Sequence, residues 1–344
     1  MTIQRAKLLL AQNGIFIALA ILFAGFALAN PNFASLSNVS NILGQSVELA
    51  LVALPLALLV ISGSIDFSVG SIASLAAVSA ALCMQATGSF WLGLTAGLLV
   101  GAAAGLVNGV LVAYLGFNSF VVTLGFLSIW GGLALLLSGG RGISGRDLPG
   151  EFAALASARI GPFPLTLLIL VVAVALAWWV LDHTAFGKQV FATGGNRRAA
   201  ILMGVPVQRV QCLLFVATGF GAALAGILLS AKVQSASPTV GTGLELDALT
   251  VVLLGGVAIA GGIGRISGVI GGVLFLRVLR NGLAFLQAPP FLQTVLIGAT
   301  LVIAVALDST VQKVVRSSWS RMRTPKSPSP TASTGSGTTS GATS

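Results

Sequence analysis

The sequence predicts an all-α, polytopic integral membrane protein with about ten transmembrane helices, some of them short or broken. Three observations support this. First, of 344 residues 56% are hydrophobic and only 8% are charged, whereas a soluble chain carries about a quarter of its residues as Asp, Glu, Lys and Arg. So few polar side chains cannot cover a soluble surface, so lipid must cover most of the outside. Second, apolar runs long enough to cross a hydrocarbon core, about 20 residues each as helix, recur along the chain. Third, the cations behind the net charge of +10 lie between or beyond those runs. They do not line an exposed face interleaved with aromatics, which excludes nucleic acid as a partner.

Taken in order, the runs fall at 13–29, 42–62, 69–86, 91–115, 119–138, 163–182, 209–231, 246–261, 266–286 and 290–308. The first follows Arg5 and Lys7 and ends in "ALAN", so it resembles both a secretory signal peptide and a retained first helix. Either reading leaves residue 30 outside, and the retained helix is preferred because the later spans already require insertion. In the second run, Pro55 and the following "SGSIDFSVGS" from Ser62 predict an interrupted span. Glu48 lies well inside that run, where an ionisable group is a functional candidate or a hydrogen-bonded packing residue, and Asp66 is expected to cap a helix start. In the fourth run Gly93, Gly97, Gly101, Gly105 and Gly109 recur every four residues, and Gly264, Gly268 and Gly272 repeat the device near the ninth. Such ridges let helices approach closely in lipid. The eighth run is short and rich in glycine.

Loops rich in Lys and Arg stay cytoplasmic. With residues 1–12 inside, the cytoplasmic segments hold Arg5, Lys7, the island Lys188, Arg197, Arg198 and Arg209, then Arg265 and the basic residues after 309. The external loops hold only Arg141, Arg146, Arg159 and Lys232; Arg277 and Arg280 lie within a span and count for neither side. The expected organisation is therefore a transmembrane domain over 13–308, a cytoplasmic loop at 183–208, and a cytoplasmic tail over 309–344. Beyond about residue 323 the tail is Pro, Ser, Thr and Gly and is expected to be disordered. Both termini are therefore expected to lie inside.

Several chemistries are missing from the sequence. No G-x-x-x-x-G-K-[ST] phosphate loop occurs, so the chain is not expected to be an enzyme and hydrolyses no nucleotide by that route. "GGIGRISG" from Gly261 has the wrong spacing for a dinucleotide fingerprint. His183 is the only histidine, and Cys83 and Cys212 lack metal-ligand spacing, so no metal site is expected.

"ATGGNRRAAILMGVPVQRVQ", "SASPTVGTGLELDALTVVLLGG" and "GGIGRISGVIGG", with "SGSIDFSVGS" and "NSFVVTLGF" in the first half, resemble the permease subunit of bacterial ATP-binding cassette importers for monosaccharides, the ribose, xylose and galactose type. The resemblance runs from about residue 40 to residue 308. It implies a second permease subunit (a homodimer or a related chain), cytoplasmic ATPase subunits that bind ATP and Mg, and a periplasmic sugar-binding protein. It also implies that the cytoplasmic loop couples to the ATPase. By position this transfers to Gly187, Gly194, Gly195, Asn196, Ala199, Ala200 and Gly204. Arg197 and Arg198 depart from the more acidic or small pair expected there.

The residues themselves support that reading of the loop. Gly194 and Gly195 allow a tight turn, a short helix can start near Asn196, and Pro206 ends it. Such a helix offers Ile201, Leu202 and Met203 to a groove and the two arginines to an acidic rim. For the translocation pathway, Gln45, Glu48, Asp66, Asn108, Thr123, Thr250 and Asn281 are the candidates. With few ionisable groups among them, they suit a neutral, hydroxyl-rich cargo. The rival class is a proton-coupled secondary transporter that uses Glu48 or Asp66.

Overall fold

The computed structural model describes residues 3–289, 291–304 and 306. The chain divides at Asp308, and the expected tail lies outside the described residues. In chain order the helices are α1 (Ile3–Ala29), α2 (Leu36–Ile61), α3 (Val69–Thr87), α4 (Phe90–Gly109), α5 (Ser119–Ser138), α6 (Gly150–Ser157), α7 (Thr166–His183), α8 (Ala185–Gly195), α9 (Arg197–Leu202), α10 (Val207–Val233), α11 (Leu244–Leu254) and α12 (Ile266–Phe285). A further apolar helical stretch, Phe291–Ala304, follows. Among the described residues seven helices are long and apolar enough to cross a membrane, with α4 continued by a π-helical turn over Val110–Tyr114. Among the described residues, strands are confined to two antiparallel pairs of two residues each, Ile143–Ser144 with Ser235–Ala236 and Arg159–Ile160 with Phe163–Pro164. The fold is therefore all-α and polytopic, as lipid requires of backbone that must satisfy its own hydrogen bonds.

α2 is the axis. It packs against α7, α8, α10, α11 and α12, and 89% of its apolar window is buried, against 11% for both α5 and α7. The expected interruption falls in the "SGSIDFSVGS" segment and not at Pro55, because α2 runs unbroken to Ile61. Proline leaves the carbonyl four residues earlier, Leu51, without its helical donor. α10 compensates by placing Gly221 against that carbonyl so tightly that any side chain there would overlap Leu51 O. The break comes instead over residues 62–68, where Gly63 takes φ +88°.

Close glycine contacts also assemble α3, α4 and α10. Gly93 and Gly97 face Ala80 of α3, while Gly101, Gly105 and Gly109 face Gly219, Phe215 and Cys212 of α10. Small residues let backbones meet where lipid supplies no hydrophobic drive between helices. Gly268 and Gly272 of α12 meet Gly255 and Val251 in the same way, and Gly264 meets Ile61.

The eighth apolar run is not a full span. Only Leu244–Leu254 is helical, 11 residues or about 16 Å. The chain then turns through Gly256, Gly261 and Gly262, with φ of +82°, +82° and +76°. Positive φ is cheap only for glycine, which is why the run loses its helix where glycines crowd.

Candidate functional site

The basic island folds as a helical hairpin. Thr184 closes α7 by donating to Val180 O at 2.6 Å and caps α8 by accepting from Gly187 N at 3.2 Å. Gly187 sits so close to the Leu181 carbonyl that only glycine fits. α8 buries Val190 and Thr193 toward α2 and α10 and leaves Lys188 exposed. The Asn196 side chain accepts from Ala199 N at 3.0 Å and so caps α9. α9 buries Ala200 alone; Ala199, Arg198 and Ile201 are exposed, as are Leu202 and Met203 at 88% and 83%. It closes on Gly204, at φ +78°, with Gly204 N and Val205 N donating to Ile201 O and Ala200 O.

Gly194 and Gly195 do not form the expected turn, because α8 continues through both. Their smallness serves contact instead. A side chain at Gly194 would overlap the Ile61 carbonyl and stand 2.7 Å from Gly262 N, while Gly195 has open space around it. Gly262 N in turn donates to Ile61 O at 2.8 Å. The end of α8, the end of α2 and the turn between α11 and α12 thus meet backbone to backbone.

From this junction the 62–68 break enters the bundle. Asp66 Oδ1 accepts from Ser68 N at 2.8 Å and Ser68 Oγ at 2.6 Å, and its Oδ2 accepts from Thr218 Oγ1 at 3.2 Å. Asn108 Nδ2 donates to Ser68 Oγ at 2.7 Å. Thr218 is the twelfth residue of the 27-residue α10, so this cluster lies near the middle of the bundle. Asp66 therefore organises the entry to α3 from two residues before its Ser68 cap. Phe67 and Phe120 pack edge to face beside it at 5.3 Å.

The other polar residues lie apart from this cluster. Glu48, buried in α2 and about 20 Å from Ile61 along the helix, forms an ion pair with Lys232 of α10, which also donates to Gly44 O at 2.6 Å. Asp247 of α11 pairs with Arg280 of α12 at 2.7 Å. Asn281 and Asn38 exchange hydrogen bonds at 2.9 and 3.0 Å. Thr123 and Thr250, both fully buried, donate to carbonyls one turn back in their own helices. Gln45 is exposed on α2. Of the pathway candidates, then, only Asp66 and Asn108 come together. Gln211, Thr218, Ser64 and Ser68 join them and were missed, although Gln211 and Thr218 stand as polar residues in an apolar run, the feature that singled out Gln45 and Asn108. Arg277 and Arg280, set aside as neutral to topology, lie in α12 facing α11.

The family model described as branched-chain amino acid transport system / permease component matches residues 38–305. The L-arabinose transport system permease protein AraH of Escherichia coli K12 is 37% identical over 306 residues, 89% of this chain and 92% of that protein. The ribose import permease protein RbsC of Haemophilus influenzae is 32% identical over 308 residues, 89% of this chain and 95% of its own. The galactose/methyl galactoside import permease protein MglC of Escherichia coli K12 is 35% identical over 317 residues, 87% and 94% respectively. No solved structure matches.

Proposed function

The chain belongs to the family of branched-chain amino acid transport system permease components, and on that premise we propose that it is the membrane-spanning subunit of an ATP-binding cassette importer for a monosaccharide or similar polyol. Its relatives along nearly the whole chain are named for arabinose, ribose and galactose. ATP and Mg are handled by a separate ATPase on the cytoplasmic side, and a periplasmic sugar-binding protein delivers the cargo to a pair of permease subunits. The hairpin 183–208 faces the cytoplasm, and both termini lie on that side.

The observation that carries the reading is α9: a capped helix that presents Ile201, Leu202 and Met203 outward while its base rests on the junction of α2, α8 and the α11–α12 turn. Closure of the ATPases on nucleotide displaces α9, and the junction passes that displacement to both discontinuous segments, which alternately open the pathway outward and inward. A neutral cargo fits the interior, since Glu48 and Asp247 already have Lys232 and Arg280 as partners. The relatives give no support to proton-coupled transport through Glu48.

The test is assembly and uptake with Leu202→Asp and Met203→Asp. Each places a charge where an apolar side chain meets its groove, so each is expected to lower copurification of the ATPase by about tenfold or more while insertion of the permease is unchanged. Normal copurification and normal uptake by both variants would remove α9 as the docking element.

A further inference from the structure

Gln211 is buried at 3% exposure, one turn into α10, and both ends of its amide are engaged. Its Oε1 accepts from Arg197 Nη1 at 3.1 Å. Its Nε2 donates to Ser64 Oγ at 3.0 Å and lies 3.5 Å from Ser62 O. The partners fix this orientation: a guanidinium can only donate and a backbone carbonyl can only accept, so the amide oxygen must face Arg197 and the amide nitrogen must face the break. Among side chains of this length only an amide meets both demands. Glutamate would keep Arg197 and set a second acceptor against Ser62 O, leucine would lose both contacts, and asparagine would fall a methylene short.

Arg197 is the first residue of α9, while Ser62 and Ser64 belong to the break between α2 and α3. Beyond Ser64 the same seven-residue segment holds Asp66 and Ser68, tied to Thr218 and Asn108. The two adjacent arginines of the island therefore differ: both are exposed on α9, but Arg197 donates to the buried Gln211. We propose that Gln211 is a positioning residue for transport, a buried amide through which Arg197 on the ATPase-facing helix holds and displaces the 62–68 segment at the middle of the membrane. This rests on the docking role of α9 and assigns a second role to a residue that does not dock.

The proposal separates coupling from assembly. The importer is reconstituted in proteoliposomes with its ATPase and binding protein, and radiolabelled L-arabinose, D-ribose and D-galactose are supplied together while ATP hydrolysis is followed in parallel. Gln211→Leu is expected to keep ATPase binding and hydrolysis and to raise the ATP consumed per sugar accumulated by about tenfold, the shift set by losing one charge-assisted hydrogen bond. Arg197→Leu removes the same bond from its exposed end, where insertion is not at risk, and is expected to give the same ratio. The double variant is expected to be no worse than Gln211→Leu alone, because without the amide Arg197 has nothing left to hold. A wild-type ratio in Arg197→Leu overturns the proposal, including where Gln211→Leu fails to assemble, and so does a fully additive double variant. Failure of the docking role shows separately, as normal ATPase copurification by Leu202→Asp with Gln211 intact.

Discussion

Gly194 and Gly195 are adjacent and chemically identical, yet their surroundings demand opposite responses to the same change. A methyl at Gly194 enters the Ile61 carbonyl, whereas one at Gly195 meets nothing within 4 Å. Overpacking of this kind costs about 1–3 kcal/mol, while alanine at an exposed helical glycine is neutral or favourable. Gly194→Ala is therefore expected to lower the melting temperature of the detergent-solubilised protein and to impair uptake, and Gly195→Ala to leave both unchanged; equal effects would contradict the packing. The sequence shows that two glycines matter here without showing why, because Ile61 and Gly262 come together with them only in the fold. What surrounds them was legible. Asn196 at the start, Gly204 and Pro206 at the end, and the outward Ile201, Leu202 and Met203 are local signals, and local signals depend on nothing distant in the chain. Gln211 and Arg197 are 14 residues apart and their bond depends on how α9 folds back over α10, which no spacing rule captures.

Among the elements, α2 and α10 are held together by two unlike devices, a close backbone contact at Leu51 and Gly221 and a charge pair at Glu48 and Lys232. Sequence reading found Glu48 and asked whether it carries a proton; the fold pairs it with Lys232 on α10, and we propose that this pair is structural. Removing one member of such a pair strands the other and costs about 3 kcal/mol, whereas replacing both by apolar groups is close to neutral. Glu48→Leu and Lys232→Met are each expected to reduce the thermal stability of the solubilised protein, and the double variant Glu48→Leu/Lys232→Met to recover most of the loss. Additive losses in the double variant would show that the two side chains act independently. The same reasoning explains why Pro55 does not interrupt α2 and why α11 ends before the expected residue 261. Pro55 breaks isolated helices but is tolerated where a neighbour covers the freed carbonyl, and the glycines after Leu254 end a helix that hydrophobicity alone would have carried across the membrane.

At the scale of the whole molecule, the Asp66 cluster and the Glu48–Lys232 pair lie at different depths of the bundle. The Asp66 cluster joins the hairpin through Ser64, Gln211 and Arg197, while the Glu48–Lys232 pair lies about 20 Å farther along α10 from Thr218, and the Asp247–Arg280 pair ties α11 to α12. Glu48 and Asp247 each have a cation beside them, Lys232 and Arg280, so a proton gradient finds little there to act on. The first group is uncharged apart from Asp66 and Arg197, and its link runs outward to a helix whose apolar face awaits a partner. Nothing in this arrangement supplies free energy, and the chain has no phosphate loop with which to draw it from ATP. Reconstituted alone in proteoliposomes, the protein is therefore expected to accumulate none of the labelled sugars, whether ATP is supplied or an inward proton gradient is imposed. Adding the ATPase and the binding protein to the same preparation is expected to restore ATP-dependent accumulation. Uphill uptake by the chain alone under a proton gradient, lost in Glu48→Gln, would instead make the charge pair the engine and α9 incidental, because energy would then enter the fold at the end opposite the hairpin.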